Sequence, residues 1–146
     1  RRLIFPRFHP ISPLMLRPLL NIPGVQSASI TNDAGHVVAS EGGAAVPASV
    51  FVLAHATLSA AGELGRRSGA GDCIELVQHH EAGLYLLRGM PRSHALIVAC
   101  APQVDLAALR RAAAEVHLPL APAPAQRRAV PQAFDLGDAL HAMPAW

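Results

Sequence analysis

Lysine is missing from this chain: all twelve cations are arginine. A P-loop depends on its lysine, so an NTPase of that type is excluded. Cysteine is nearly missing too. Cys73 and Cys100 make neither a disulfide framework nor a zinc ribbon, and they suit a reducing compartment, the cytoplasm. Aromatics are down to four Phe, Tyr85 and Trp146, too few to offer a stacking platform for bases. Long apolar runs are absent: the longest, Ala95 to Ala101, has seven residues, against the ~20 of a spanning helix. The sequence therefore predicts no membrane span. Charge is scarce as well, at 15% against 51% hydrophobic, which excludes disorder throughout. A length of 146 residues gives room for one domain with a single core.

The net charge of +2 is unevenly spread. Residues 1–23 hold four Arg and no acid, residues 24–118 hold six Arg against eight acids, and residues 119–146 balance. Basicity thus sits in a short N-terminal arm rather than on a folded face, which argues against a nucleic-acid partner. Arg1-Arg2-Leu3-Ile4-Phe5 has the charged start of a signal peptide. Pro6, Arg7, His9, Pro10 and Pro13 then break any apolar stretch, so export is not expected. Met15 is a candidate initiator, with the residues ahead of it an extension.

Eight histidines invite a metal or a catalytic reading. His79 and His80 are neighbours on a predicted strand, so they point to opposite faces and cannot share an ion. No HExxH, CxxC or HxH spacing occurs. His55 falls on the polar side of a helix, His36 and His94 open strands, and all three read as exposed. No Gly-x-Ser-x-Gly elbow is present. Arg66-Arg67 beside Gly65, Gly69 and Gly71 has the makings of a phosphate site, but cations at a helix C-terminus are explained by the macrodipole alone. No pattern calls for a cofactor, a metal or a catalytic residue, and the expectation is a protein that is not an enzyme.

Proline marks the organisation. Ten of thirteen prolines lie in 1–23 or 119–146, so regular structure is expected within about 24–118. Leu14 to Asn21 predicts a short helix interrupted by Pro18. Val25 to Thr31 and His36 to Ser40 read as a hairpin around the turn Asn32-Asp33-Ala34-Gly35. Pro47 to Gly65 reads as a long helix. Asp72 to His80, Leu84 to Gly89 and His94 to Cys100 read as strands, the first two joined through His80-Glu81-Ala82-Gly83. Cys73 and Cys100 fall on strands and read as buried spectator thiols. The run at 95–100 is apolar on both faces, as a central strand covered on both sides would be. Asp72–His80 alternates Glu75 and His79 with Ile74 and Leu76, as an edge strand would. Pro102 to Leu118 reads as a last helix with Leu106, Leu109, Ala113 and Val116 inward.

The long helix carries the sharpest signal. At ~100° per residue, Val50, Ala54, Thr57, Ala61 and Leu64 line up, flanked by Phe51 and Leu58 on one side and by Leu53 and Ala60 on the other. This apolar sector covers about half the circumference, wider than the ~100° needed for one core contact. Either the helix is deeply set, or one flank packs on a sheet and the other on a second chain. Pro119 to Pro124 reads as an extended linker. Phe134, Leu136, Leu140 and Met143 form one side of a short amphipathic segment that needs a surface to dock on; it reads either as a disordered tail or as a candidate partner-docking tail. The domain plan is an arm at 1–13, a core domain at 14–118 and a Pro/Ala-rich tail at 119–146.

Ile22-Pro23-Gly24-Val25, then a strand, Asp33-Ala34-Gly35 and Val37-Val38-Ala39-Ser40, resembles the Roadblock / dynein light chain family. So does the sequel: an Ala-rich helix ending in Leu64-Gly65, three strands ending in the run at 95–100, and a helix. The resemblance covers about 14–118. It implies an α+β fold, a five-stranded antiparallel sheet of order 2-1-5-4-3 with the long helix on one face and the terminal helices on the other. It also implies a homodimer through the long helix and the edge strand, forming a ten-stranded sheet. Val50, Phe51, Leu53, Leu58 and Leu64 would then serve the dimer or the core, and Ile74, Leu76 and Val77 the edge-strand pairing. Prokaryotic members of the family resemble regulators of Ras-like small GTPases. The implied function is a non-enzymatic regulator or scaffold for such a GTPase. A ligand-sensing module of profilin or longin type, and an adaptor without a GTPase partner, are the alternatives.

Overall fold

The run from His94 to Cys100 decides the architecture. Its alternate side chains enter two separate cores: Leu96, Val98 and Cys100 on one face, Ala95 and Ile97 on the other. A strand apolar on both faces is stable only when both faces are covered. The computed structural model, which describes residues 11–43 and 46–119, shows what covers them.

A single 3-10 turn at Pro13–Leu16 leads into α1 (Arg17–Leu20). Then follow β1 (Val25–Thr31), β2 (Val37–Gly42), α2 (Ala48–Ser68), β3 (Glu75–His80), β4 (Gly83–Met90), β5 (His94–Cys100) and α3 (Leu106–Ala114). The strands form one antiparallel sheet of order β2-β1-β5-β4-β3. Leu16, Leu19, Leu109 and Ala113 of the terminal helical segments bury against Ile30, Leu86, Leu96 and Val98 on one face. Phe51 and Leu58 of α2 bury against Leu87, Ala95 and Ile97 on the other. The expected class, strand order and distribution of helices are those observed.

Local chemistry fixes the turns. Asn32 Oδ1 accepts from the Ala34 and His36 amides, each at 3.0 Å, and Gly35 takes φ 80°, so the β1–β2 turn is an Asx turn closed by a left-handed glycine. The β4–β5 turn instead puts Arg92 and Ser93 at φ 59° and 57°, with the His94 amide bonded to the Pro91 carbonyl. That is a type I′ turn built without glycine. Asp105 caps α3 by accepting from the Ala108 amide at 3.1 Å.

Several boundaries differ from the sequence reading. Pro18 does not interrupt the first helix. It lies in the first turn of α1, where a missing N–H costs nothing. The helix α2 runs past Gly65 to Ser68 and stops at Gly69, φ 78°. The chain then folds back, the Ala70 and Gly71 amides bonding the Gly65 carbonyl. Strand β3 begins at Glu75 rather than Asp72, because Asp72 is held by Arg66 at 2.8 Å and Cys73 lies in the connection, not on a strand. At its two borders the sheet differs. β2 carries a register shift opposite Ile30/Thr31, Gly42 at φ 126° and Glu41 3.9 Å from Arg17. β3 pairs with β4 in unbroken register.

Candidate interaction surface on the long helix and edge strand

From Ala48 to Gly62 α2 carries no Asp, Glu, Lys or Arg. Its inner side is the Phe51, Leu58 and Gly62 line, and all three are buried. Opposite them stand Leu53 and Leu64, 66% and 69% exposed, with Val52 also exposed and small residues between. Thr57 directs its hydroxyl back to the Leu53 carbonyl at 2.7 Å, which satisfies the polar atom within the helix. By length and composition α2 is apolar enough to cross a membrane. The unbroken-run criterion concealed this, because Ser, Thr, His and Gly interrupt the run without removing its apolar character. Phe51 and Leu58 hold this helix on the sheet instead.

The charges of α2 cluster at its end. Glu63 accepts from Arg67 at 2.6 Å and Arg66 at 3.1 Å, and those hydrogen bonds, Arg67's foremost, hold its carboxyl below the usual range. The Arg66 and Arg67 side chains, considered above for phosphate, are thus engaged with Glu63 and Asp72.

The eight residues singled out for dimer or core divide as follows. Phe51, Leu58 and Leu76 lie in the α2-side core, and Val77 packs against the opposite one. Val50 is half-buried. Leu53, Leu64 and Ile74 stand exposed, Ile74 at 68% and just ahead of β3. Phe134, Leu136, Leu140 and Met143 lie outside the described residues. Sequence reasoning missed Val52, which lies midway around the helix between buried Phe51 and exposed Leu53 and is itself exposed.

Three polar features were also hidden. His55 is not free on the surface: it is half-buried, with Nδ1 3.5 Å from the Thr31 hydroxyl. Ser27, Ser29 and Thr31 of β1 are buried, Ser29 Oγ bonding Ser40 Oγ at 2.9 Å. Glu75 lies between Arg88 and Arg110 and ties edge strand to α3. Cys100 is buried, and burial pushes its thiol up to about 11. Cys73 and Cys100 serve different cores and are both free. Among the described residues no group of three or more His, Cys, Asp or Glu could hold a metal ion.

This strand order, with one long helix on one face and short helices on the other, defines the Roadblock fold. The chain is similar to a Roadblock/LC7 domain from Streptomyces avermitilis, with 22% identity, TM-score 0.64, and coverage of 70% of this chain and 88% of that one. It is similar to the gliding protein MglB from Thermus thermophilus, with 15% identity, TM-score 0.65, and coverage of 80% and 91%. A third likeness is to Myxococcus xanthus MglB, with 12% identity, TM-score 0.61, and coverage of 70% and 76%. No protein-family model and no curated protein matches the sequence.

Proposed function

We propose that the chain is a non-catalytic homodimeric regulator or scaffold that binds a Ras-like small GTPase in the cytoplasm. The observation that carries this reading is the outer face of α2. Leu53 and Leu64 stand two-thirds exposed on a helix whose first four turns hold no formal charge, and Ile74 adds to it beside the open border of β3. Contiguous apolar surface of this kind marks an interaction site. A second copy, offering the same stripe and border, covers both at once through a two-fold axis. The likeness to two MglB structures supports a regulator of this type, and two free cysteines in separate cores are compatible with a reducing compartment.

The functional unit in this reading is the domain at 14–118, and the tail at 119–146 contributes partner contacts through Phe134, Leu136, Leu140 and Met143. Light scattering at tens of micromolar should report twice the subunit mass. A pull-down with a nucleotide-loaded small GTPase from the same organism should retain the GTPase. Deleting residues 119–146 should weaken that complex and leave the dimer intact. A monomer, or a dimer that retains no GTPase in either nucleotide state, would remove the corresponding half of the proposal.

A further inference from the structure

The border of β3 carries enough detail to fix how a second copy adds to it. We propose that two copies pair β3 with β3 in antiparallel fashion about an axis at Val77. Val77 then meets the partner's Val77, Glu75 meets the partner's His79, and Ile74 meets the partner's His80. This rests on the homodimer reading above and deepens it by naming the register.

The backbone sets the phase. The Gly89 amide donates to the Ile74 carbonyl at 3.1 Å, extending the pairing of Glu75 with Arg88 by one step. Hydrogen-bonded pairs alternate along an antiparallel ladder. Leu76, Gln78 and His80 therefore turn their backbone groups toward β4. The tight turn at Glu81–Ala82, closed by His80 and Gly83, has the same phase. Glu75, Val77 and His79 have N–H and C=O directed outward, the Glu75 carbonyl also accepting from Cys73 Sγ at 3.5 Å, a weak bond that the Cys73→Ser background alters.

The helix face sets the parity. For the outer faces of two α2 helices to meet, both must lie on the same side of the joined sheet, and the axis must run perpendicular to it. Each residue then pairs with one on the same face, which on a strand means odd with odd and even with even. Two centres give nearly full overlap, Val77 and Gln78. Centred on Val77, all three outward residues find outward partners within the strand. Centred on Gln78, Glu75 falls opposite the partner's Glu81, carboxylate against carboxylate, in a turn.

The side chains agree with the first centre. Ile74 is on the α2 side and exposed, as is His80, which stands edge-on to Tyr85 with ring centroids 5.7 Å apart. The Val77 centre sets Ile74 directly opposite the partner's His80, close enough for its apolar side chain to cover the ring. The Gln78 centre leaves Ile74 opposite the partner's Ala82.

Cysteine pairing tests the register. In a Cys73→Ser background, Ile74→Cys and His80→Cys are purified separately, mixed and oxidised. Both positions are exposed, so folding is not at stake. The mixture should yield a covalent dimer as its main product, and neither variant alone should. Val77→Cys should cross-link to itself, since bonded antiparallel partners lie ~5.5 Å apart at Cα, and Gln78→Cys should not. Cross-linking at Gln78→Cys in place of Val77→Cys, or an inert mixture when light scattering shows a dimer, overturns the register and spares the homodimer. A monomer by light scattering overturns both.

Discussion

Replacing Leu53 with glutamate separates association from folding. In the single chain Leu53 is 66% exposed, so little of it stabilises the subunit. Fully burying a leucine is worth about 1.5–3 kcal/mol, so covering the exposed two-thirds yields about 1–2 kcal/mol per side chain. A two-fold dimer buries two, giving about 2–4 kcal/mol per assembly. At ~1.4 kcal/mol per decade, Kd should rise by roughly 30-fold to 1,000-fold, before the cost of desolvating two carboxylates is added. The isolated subunit should change by less than about 0.5 kcal/mol, because the site is a helix surface and glutamate is a good helix former. A dilution series by sedimentation or light scattering measures the first quantity. Urea unfolding below the dissociation concentration measures the second. An unchanged Kd would refute the assignment of this face to self-association, and a subunit destabilised by several kcal/mol would show that Leu53 belongs to the core.

Phe51→Ala should do the reverse, costing about 3–5 kcal/mol of subunit stability through a cavity against Leu87 and Ile97, seen as a lower urea midpoint. Ser93→Gly should stabilise the fold by about 1 kcal/mol, because Ser93 holds a left-handed φ in the β4–β5 turn; a melting curve shifted upward checks it. Cys100 gives a pH signature. Its thiol is protonated in both states below its ordinary value of 9.0, so its contribution is intact there. Between 9.0 and about 11 only the unfolded chain ionises, so stability falls as pH rises through that window. Cys100→Ala should flatten that part of the curve in paired urea titrations at about pH 8 and about pH 10.5.

The sheet was legible because its signals are local. Each strand run is bounded by a turn residue, and the two-sided apolar character of 95–100 marks the centre. The half-circumference stripe on α2 is likewise wider than the sheet contact uses, since Phe51 and Leu58 are buried while Leu53 and Leu64 stand exposed. Which members of the stripe face inward was not legible, since Leu53 and Leu58 differ only in the direction the helix presents. His55 reads as exposed from sequence because its partner, Thr31, is 24 positions away on another element. Pro18 reads as a breaker from sequence, because only its place relative to the start of the helix decides its effect. Glu75 has the alternation of an exposed edge, yet Arg88 and Arg110 enclose it, a pairing no short-range pattern encodes.

The two margins of the sheet are chemically unlike, and this limits how far copies can accumulate. Once β3 is consumed by a twin, only the β2 flanks remain at either end. There the irregularity opposite Ile30/Thr31, the Gly42 kink and the Glu41 carboxylate spoil the straight template a further strand would need. In the proposed dimer, growth would therefore terminate at two subunits, and a sheet that offers a companion one margin would resist becoming a filament at the other.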